Sequence, residues 1–426
     1  MLYQSHLLQD LEEQIEVLTK QEQTLKAEIV EELVKFDLYS NDALVAHVSA
    51  LSCRSHEYYD FTYSRSWLST GYSIDPTIEF SSNTQRTKDI PPCLRDIIPD
   101  RCGSVIQKRR LGYTPSSLEL LLGANDAIRE GSLRVKVKDK FVNTFSQTYD
   151  LSSLEILILA SFHVEQGCSS EEDLDLLYSV SATVGGARPK VCIEIEGKQY
   201  IAKLPSFKDN ALQVSRIERL YLDLAKSAGI NACSSKLIET KFGDVLLLQR
   251  FDRAENNSRN PFMSAMTALG LSENDELENY SYVDLAMSDF MTSKEQKHEL
   301  FRRMVFNGLF GNTDDHLRNH AFLRVNGKWK LSPAYDLTPN TVPYNKQHHA
   351  LCFIAGKDLP SLELFDDIKG FFDVDDKLYK SIMLDMKKAQ ESCLTLLKKN
   401  KVSPDNIKLL QNNFVHEDFE KLKNFD

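Results

Sequence analysis

Between a run of apolar residues at helical spacing (304–310) and an alternating strand (321–325), the chain sets Asp314, Asp315, His316, Asn319 and His320 in one short loop. Asn326-Gly327 then supplies a tight turn, because an Asn-Gly pair tolerates positive φ, and residues 328–331 return as a second strand. A further acid, Asp336, comes just beyond that hairpin. Asp and Asn are ordinary turn formers. Two acids, an amide and a histidine between a buried helix and a hairpin ask for more than turns. Any fold of this chain has to carry that polar loop at the edge of a core.

Spacing gives the loop its chemistry. Asp314 and Asn319 stand five apart, like the Asp and Asn of the protein-kinase catalytic loop, where Asp orients the substrate hydroxyl and Asn binds Mg²⁺. Asp336 after the hairpin is placed like the second magnesium ligand. Upstream, Gly185-Gly186 lies between small residues and precedes a strand at 191–195, a setting in which backbone amides can approach phosphate. The glycine pair lacks the Lys-Ser/Thr of a Walker loop and the spaced glycines of a dinucleotide fold. A strand at 201–204 follows with Lys203 among apolar neighbours, then a helix at 212–227 carrying Glu218 and stopped by Gly229. Residues 245–253 form a buried strand that leaves into a polar linker, where an adenine would meet hinge backbone. Each piece is weak alone; their order is that of a kinase.

The same positions resemble a family. Asn312-Thr313-Asp314-Asp315-His316-x-x-Asn319 followed by Leu331-Ser332-Pro333-Ala334-Tyr335-Asp336-Leu337 is similar to the HipA-type serine/threonine kinases, toxins of bacterial toxin–antitoxin modules. Thr183-Val184-Gly185-Gly186-Ala187 with Lys190, Ile201-Ala202-Lys203-Leu204-Pro205 and Gln249-Arg250-Phe251-Asp252-Arg253 extend the likeness. It implies an α+β, protein-kinase-like two-lobed fold with a small β-rich N-terminal subdomain and an all-α C-terminal lobe, using ATP and Mg²⁺. By position, Lys203 would contact phosphates beside Thr183, Gly185 and Gly186, while Gln249 and Phe251 would border adenine. Asn319 and Asp336 would hold the metal and Asp314 would aim the acceptor hydroxyl, with His316 supporting the loop. The family autophosphorylates a glycine-loop serine; here Thr183 stands at that place, with Ser181 and Ser179 near it. A cognate HipB-like DNA-binding antitoxin and a translation-related target such as an aminoacyl-tRNA synthetase are also implied. No Phe-Gly follows Asp336 and no Ala-Pro-Glu occurs after it, so a eukaryotic-type activation segment is not expected.

At 426 residues the chain exceeds one ordinary core. Residues 1–35 read as an amphipathic helix; Leu8, Leu11, Ile15, Leu18, Leu25 and Ile29 keep a heptad-like spacing through a breaker-poor run at 5–36. It serves either as a coiled coil joining copies of the chain or as a helix packed on its own domain. Residues 36–115 read as the β-rich subdomain, with strands at 36–39, 43–48 and 58–63, Trp67-Leu68, and a short helix within 91–100 followed by Gly103. Residues 116–253 read as the N-lobe, with helices at 116–128 and 152–162, and 254–426 as a helical C-lobe. In that lobe 256–278 reads as a polar, mobile loop and 293–310 as a helix opened by Ser293-x-x-Gln296. His348-His349 reads as a surface pair, and the chain from 375 onward as helical.

With 42% hydrophobic and 27% charged residues the protein reads as soluble and globular. No apolar run nears the ~20 residues that span a bilayer, and the first residues lack a basic region followed by an apolar one, so a signal peptide is not expected. Eight cysteines without a Cys-x-x-Cys pair argue against a zinc site or disulfide framework, and so for a reduced, cytoplasmic protein. A net charge of −11 argues against a general nucleic-acid binder, leaving Lys108-Arg109-Arg110 as a solvated face. Two rivals share the same motifs: a lapsed kinase fold acting as antitoxin or scaffold, and a phosphotransferase for a small molecule.

Overall fold

The computed structural model describes residues 32–423, except 54–55, 100, 146, 182–187, 210–211, 255–257 and 273–274. Its first unit is a twisted antiparallel sheet. β1 (Glu32–Ser40) and β2 (Ala43–Cys53) turn at Asn41, whose φ of 52° an Asn tolerates, and β3 (His56–Tyr63) and β4 (Gln85–Lys88) continue the meander. Phe36, Leu38, Val48, Tyr59 and Phe61 alternate onto one buried face. β5 (Leu133–Val137) comes back from far along the chain to pair with β1, and β6 (Lys140–Phe141) pairs with β5, giving the order β4-β3-β2-β1-β5-β6. Because β1 begins at Glu32, the expectation of a helix through 36 fails over its last residues. The alternation that starts at Val34 is sheet pairing. The rest of that expected helix, 1–31, lies outside the described residues.

The second unit is a four-stranded sheet in the order β7 (Lys190–Ile195), β8 (Lys198–Lys203), β10 (Gly243–Gln249), β9 (Ser235–Thr240). Its two faces have different covers. Val191, Ile193, Ala202, Val245 and Leu247 pack under the helices Leu154–Gln166 and Glu171–Val180. Ile201, Leu246 and Leu248 face the helix Val214–Ser227 and the lobe beyond it.

The third unit is helical apart from one small sheet. The helix Lys294–Phe310 runs through its middle, with Leu300, Phe301, Met304, Val305, Phe306, Leu309 and Phe310 wholly buried. Ser293 caps its start by accepting from Gln296 N, and Gly311 ends it at φ 71°. A Cβ at Gly311 would fall 2.4 Å from Asn413 Oδ1, so both conformation and space require glycine there. β12 (Ala321–Val325) and β13 (Lys328–Leu331) form the hairpin expected from Asn326-Gly327, and β11 (Phe262–Ser264) joins it on the other side of β12. That third strand corrects the reading of 256–278 as a mobile loop. Met263, Ala265, Met266 and Ala268 are buried, and Ser264 caps a short helix, Ala265–Ala268. The polar composition concealed a segment held by pairing with a strand about sixty residues on. Among the described residues no helix is long and apolar enough to cross a membrane.

Candidate active site between the lobes

β8 ends on Lys203, 6% exposed, whose Nζ lies 2.6 Å from Glu218 Oε1 and also pairs with the Asp336 carboxylate. Burial alone would lower the lysine pKa; the two carboxylates overcome it and hold the ammonium above its usual range. Asp336 moves the other way. Burial would raise it, but Lys203 and then Lys190 keep it below the usual carboxylate range. Glu218, buried deeper in the helix, is pushed up by desolvation against the pull of Lys203. The stable state is therefore an ammonium clasped by acids from a helix of one lobe and a loop of the other. Asp336 sits at φ 56°, a left-handed backbone that costs a non-glycine residue about 1–3 kcal/mol.

The polar loop begins where Gly311 turns the chain out of its helix. Asp314 projects to solvent, its side chain 68% exposed, with His316 Nε2 3.7 Å from Oδ1. Partial desolvation at the cleft mouth lifts its carboxyl, His316 draws it down, and the negative charges of Asp336 and Asp315 lift it again. Asn319 donates from Nδ2 to the Asp314 carbonyl at 2.6 Å, which fixes the five-residue span between them. Tyr335 donates to Arg318 O at 2.7 Å and ties the Asp336 segment to this loop.

Asp315 faces inward and is fully buried. Its Oδ2 accepts from Tyr282 Oη at 2.6 Å and meets His349 Nδ1 at 3.0 Å; Asn307 donates to the same tyrosine oxygen at 2.8 Å. Asn312 donates to Asn307 and accepts from Thr338 N, so the network also reaches the chain after Asp336. His349, expected on the surface, is thus corrected to a buried partner of Asp315, while His348 is exposed beside Asp358. Neither Tyr282 nor His349 carried a local signal, since both lie over thirty residues from Asp315. Removing the hydroxyl in Tyr282→Phe leaves a buried carboxylate oxygen short of a donor. About 1–3 kcal/mol of stability should go, read as a lower urea midpoint with the same slope.

A cleft opens beside the Lys203 pair, lined by Ile201, Leu248, Gln249, Phe251, Tyr335, Asp336 and Glu130. Hydrogen bonds and ion pairs build its far wall. Arg250 is buried, donates to the Ile128 and Arg129 carbonyls, and pairs with Asp252 at 2.6 Å. Arg253 joins the same carboxylate at 2.7 Å. Burial works to raise the Asp252 pKa, and the two guanidiniums reverse that and hold it far below the carboxylate range.

Lys203, Glu218, Gln249, Phe251 and Asp336 thus meet at one cleft, with Asp314, His316 and Asn319 on the adjoining loop. Lys190 is directly opposite Lys203 in the β7–β8 register and is buried. Thr183, Gly185 and Gly186 lie outside the described residues. Ser179 is in the last turn of the helix Glu171–Val180 and donates to Leu176 O; Ser181 donates to Leu177 O. Either hydroxyl would have to leave its carbonyl to act as an acceptor of phosphate. Glu130 had no signal in the sequence beyond its charge. Burial first, then Asp252, pushes its carboxyl up to about 8.

The chain is similar to known proteins in family and in fold. The model of the family described as the HipA-like C-terminal domain matches residues 182–394. The Y4dM protein of Sinorhizobium fredii is 27% identical over 183 residues, which take in 39% of this chain and 44% of that protein. The chain therefore spans under half the length of that curated relative. Among solved structures, the HipA of a Shewanella oneidensis toxin–antitoxin system, determined with HipB and operator DNA, superposes with a TM-score of 0.62. That match covers 91% of this chain and 95% of the other at 14% identity, a likeness of fold.

Proposed function

The chain belongs to the HipA-like C-terminal domain family, and from that premise we propose that it is an ATP- and Mg²⁺-dependent serine/threonine protein kinase. The observation that carries this reading is the Lys203–Glu218–Asp336 cluster at the mouth of a cleft bordered by Gln249 and Phe251. Phosphoryl transfer needs alignment and charge neutralisation more than covalent help. Lys203 is a fixed cation for phosphate oxygens, kept charged by its two acids. Asp314 reaches solvent, where an acceptor hydroxyl can approach, and the Asn319 amide steadies its backbone.

The donor set fits magnesium carried in with a nucleotide. Among the described residues no group of three or more His, Cys, Asp or Glu could hold a metal by itself, and Mg²⁺ in kinase sites relies on one or two protein groups plus substrate phosphates. Asn319 and Asp336 would be those groups. When bound, the ion neutralises charge at the transferring phosphate.

We further propose that the protein is a growth-inhibiting toxin, restrained by a HipB-like antitoxin, that phosphorylates a translation-related protein and its own glycine loop. The solved relative with HipB and DNA supports the first part; Thr183, with Ser181 and Ser179 beside it, supports the last. The test is incubation of the purified chain with γ-labelled ATP and a cell lysate. Label in a protein band and in the peptide bearing Thr183 is the expected result. Label only in small molecules would make it a small-molecule phosphotransferase, and bound ATP with no transfer would make it a lapsed kinase.

A further inference from the structure

Glu130 stands just before β5 of the β-rich unit yet lines the cleft between the other two. It is 8% exposed. Its place along the cleft follows from its neighbours. The carbonyls of Ile128 and Arg129 accept from Arg250, and Gly131 N donates to Asp252 Oδ2 at 2.8 Å. The backbone on both sides of Glu130 is therefore bolted to the hinge residues 250–252. Lys203 and Asp336 mark the other, phosphate end of the same cleft.

Resting on the kinase reading above, we propose that Glu130 is a nucleoside-binding residue, its carboxyl oxygen accepting a hydrogen bond from an N–H or O–H donor of the bound nucleotide. Two donors of that chemistry exist on ATP: the exocyclic amino group of adenine and the ribose hydroxyls. A carboxyl oxygen accepts from either in both of its protonation states. The small N-terminal unit would then be part of the nucleotide site, with Arg250, Asp252 and Arg253 holding the segment that presents Glu130.

The experiment measures binding of MgATP and of magnesium tripolyphosphate, which lacks the nucleoside, to the full chain by calorimetry. Glu130→Ala should weaken MgATP about tenfold and leave tripolyphosphate within about twofold. Glu130→Gln keeps an acceptor oxygen and should stay within about threefold of wild type. Should the alanine variant fail to fold, Glu130→Asp, which keeps the carboxyl group but shortens the reach, should show the same selective loss. Purine riboside triphosphate and 2′-deoxy-ATP name the donor: the analogue lacking it loses nothing further in Glu130→Ala. Unchanged MgATP affinity in a folded Glu130→Ala, or equal loss of MgATP and tripolyphosphate, overturns the assignment while the kinase reading stands. A wild-type chain that binds neither probe removes both.

Discussion

Asp314→Asn should lower phosphoryl transfer by about a thousandfold while MgATP affinity stays within about threefold. The expectation rests on what the side chain touches. Asp314 is open to solvent, with His316 Nε2 3.7 Å from its carboxylate, so exchange for an amide disturbs little packing. What is lost is a carboxylate able to orient a hydroxyl and take its proton, an effect that commonly amounts to 10²–10⁴-fold. Lys203, Asp336 and the cleft wall are untouched, so nucleotide binding should persist. Steady-state kinetics on a phosphorylated substrate, beside calorimetry with MgATP, would check both halves. Turnover retained in this variant would mean that another group does the work, and the assignment of the loop would fall.

Asp252→Ala should be the most damaging single change to stability. Arg250 and Arg253 have side chains only 1% and 5% exposed, and Asp252 lies within 2.6–2.7 Å of both. Removing the carboxylate leaves two guanidiniums facing each other in a dry interior, a loss of about 3–5 kcal/mol where one partner of a buried pair is deleted. A chemical denaturation series should show the midpoint falling accordingly. A fall under about 1 kcal/mol would mean that water reaches the pair, against the burial described here. The pH dependence has a definite sign. Folding lowers the Asp252 pKa below its unfolded value near 4, so its contribution is complete above about pH 4 and fades as pH drops further.

Local pattern made much of this legible in advance. The hairpin at β12 and β13 followed from Asn326-Gly327, the long C-lobe helix from Ser293-x-x-Gln296 and its apolar run, and β2 and β3 from alternation. Order along the chain set Glu218 on the helix that follows the Lys203 strand, and the fold brings the two within 2.6 Å. The failures share a cause. Residues 262–268 were read together with the polar stretches that flank them, 256–260 and 272–276, and only the partner strand β12 shows them to be structure. His349 looked like a surface histidine because nothing near it in sequence needs a buried base. Glu130 reads as one acid among many until the fold places it in the cleft.

By itself, then, the sequence settled the inventory and its order: glycine pair, lysine strand, acid-bearing helix, hinge, polar loop and the acid after the hairpin. These are short-range facts, set by turn chemistry, capping and periodicity within a few residues. Tertiary structure decided which charges share one space. It put Asp336 against Lys203, buried Asp315 against Tyr282 and His349, paired β5 with β1, and brought Glu130 back to the hinge. Contacts across a hundred residues leave no local trace, because burial and the low dielectric that gives each charge its weight come into being only when separate segments close over it.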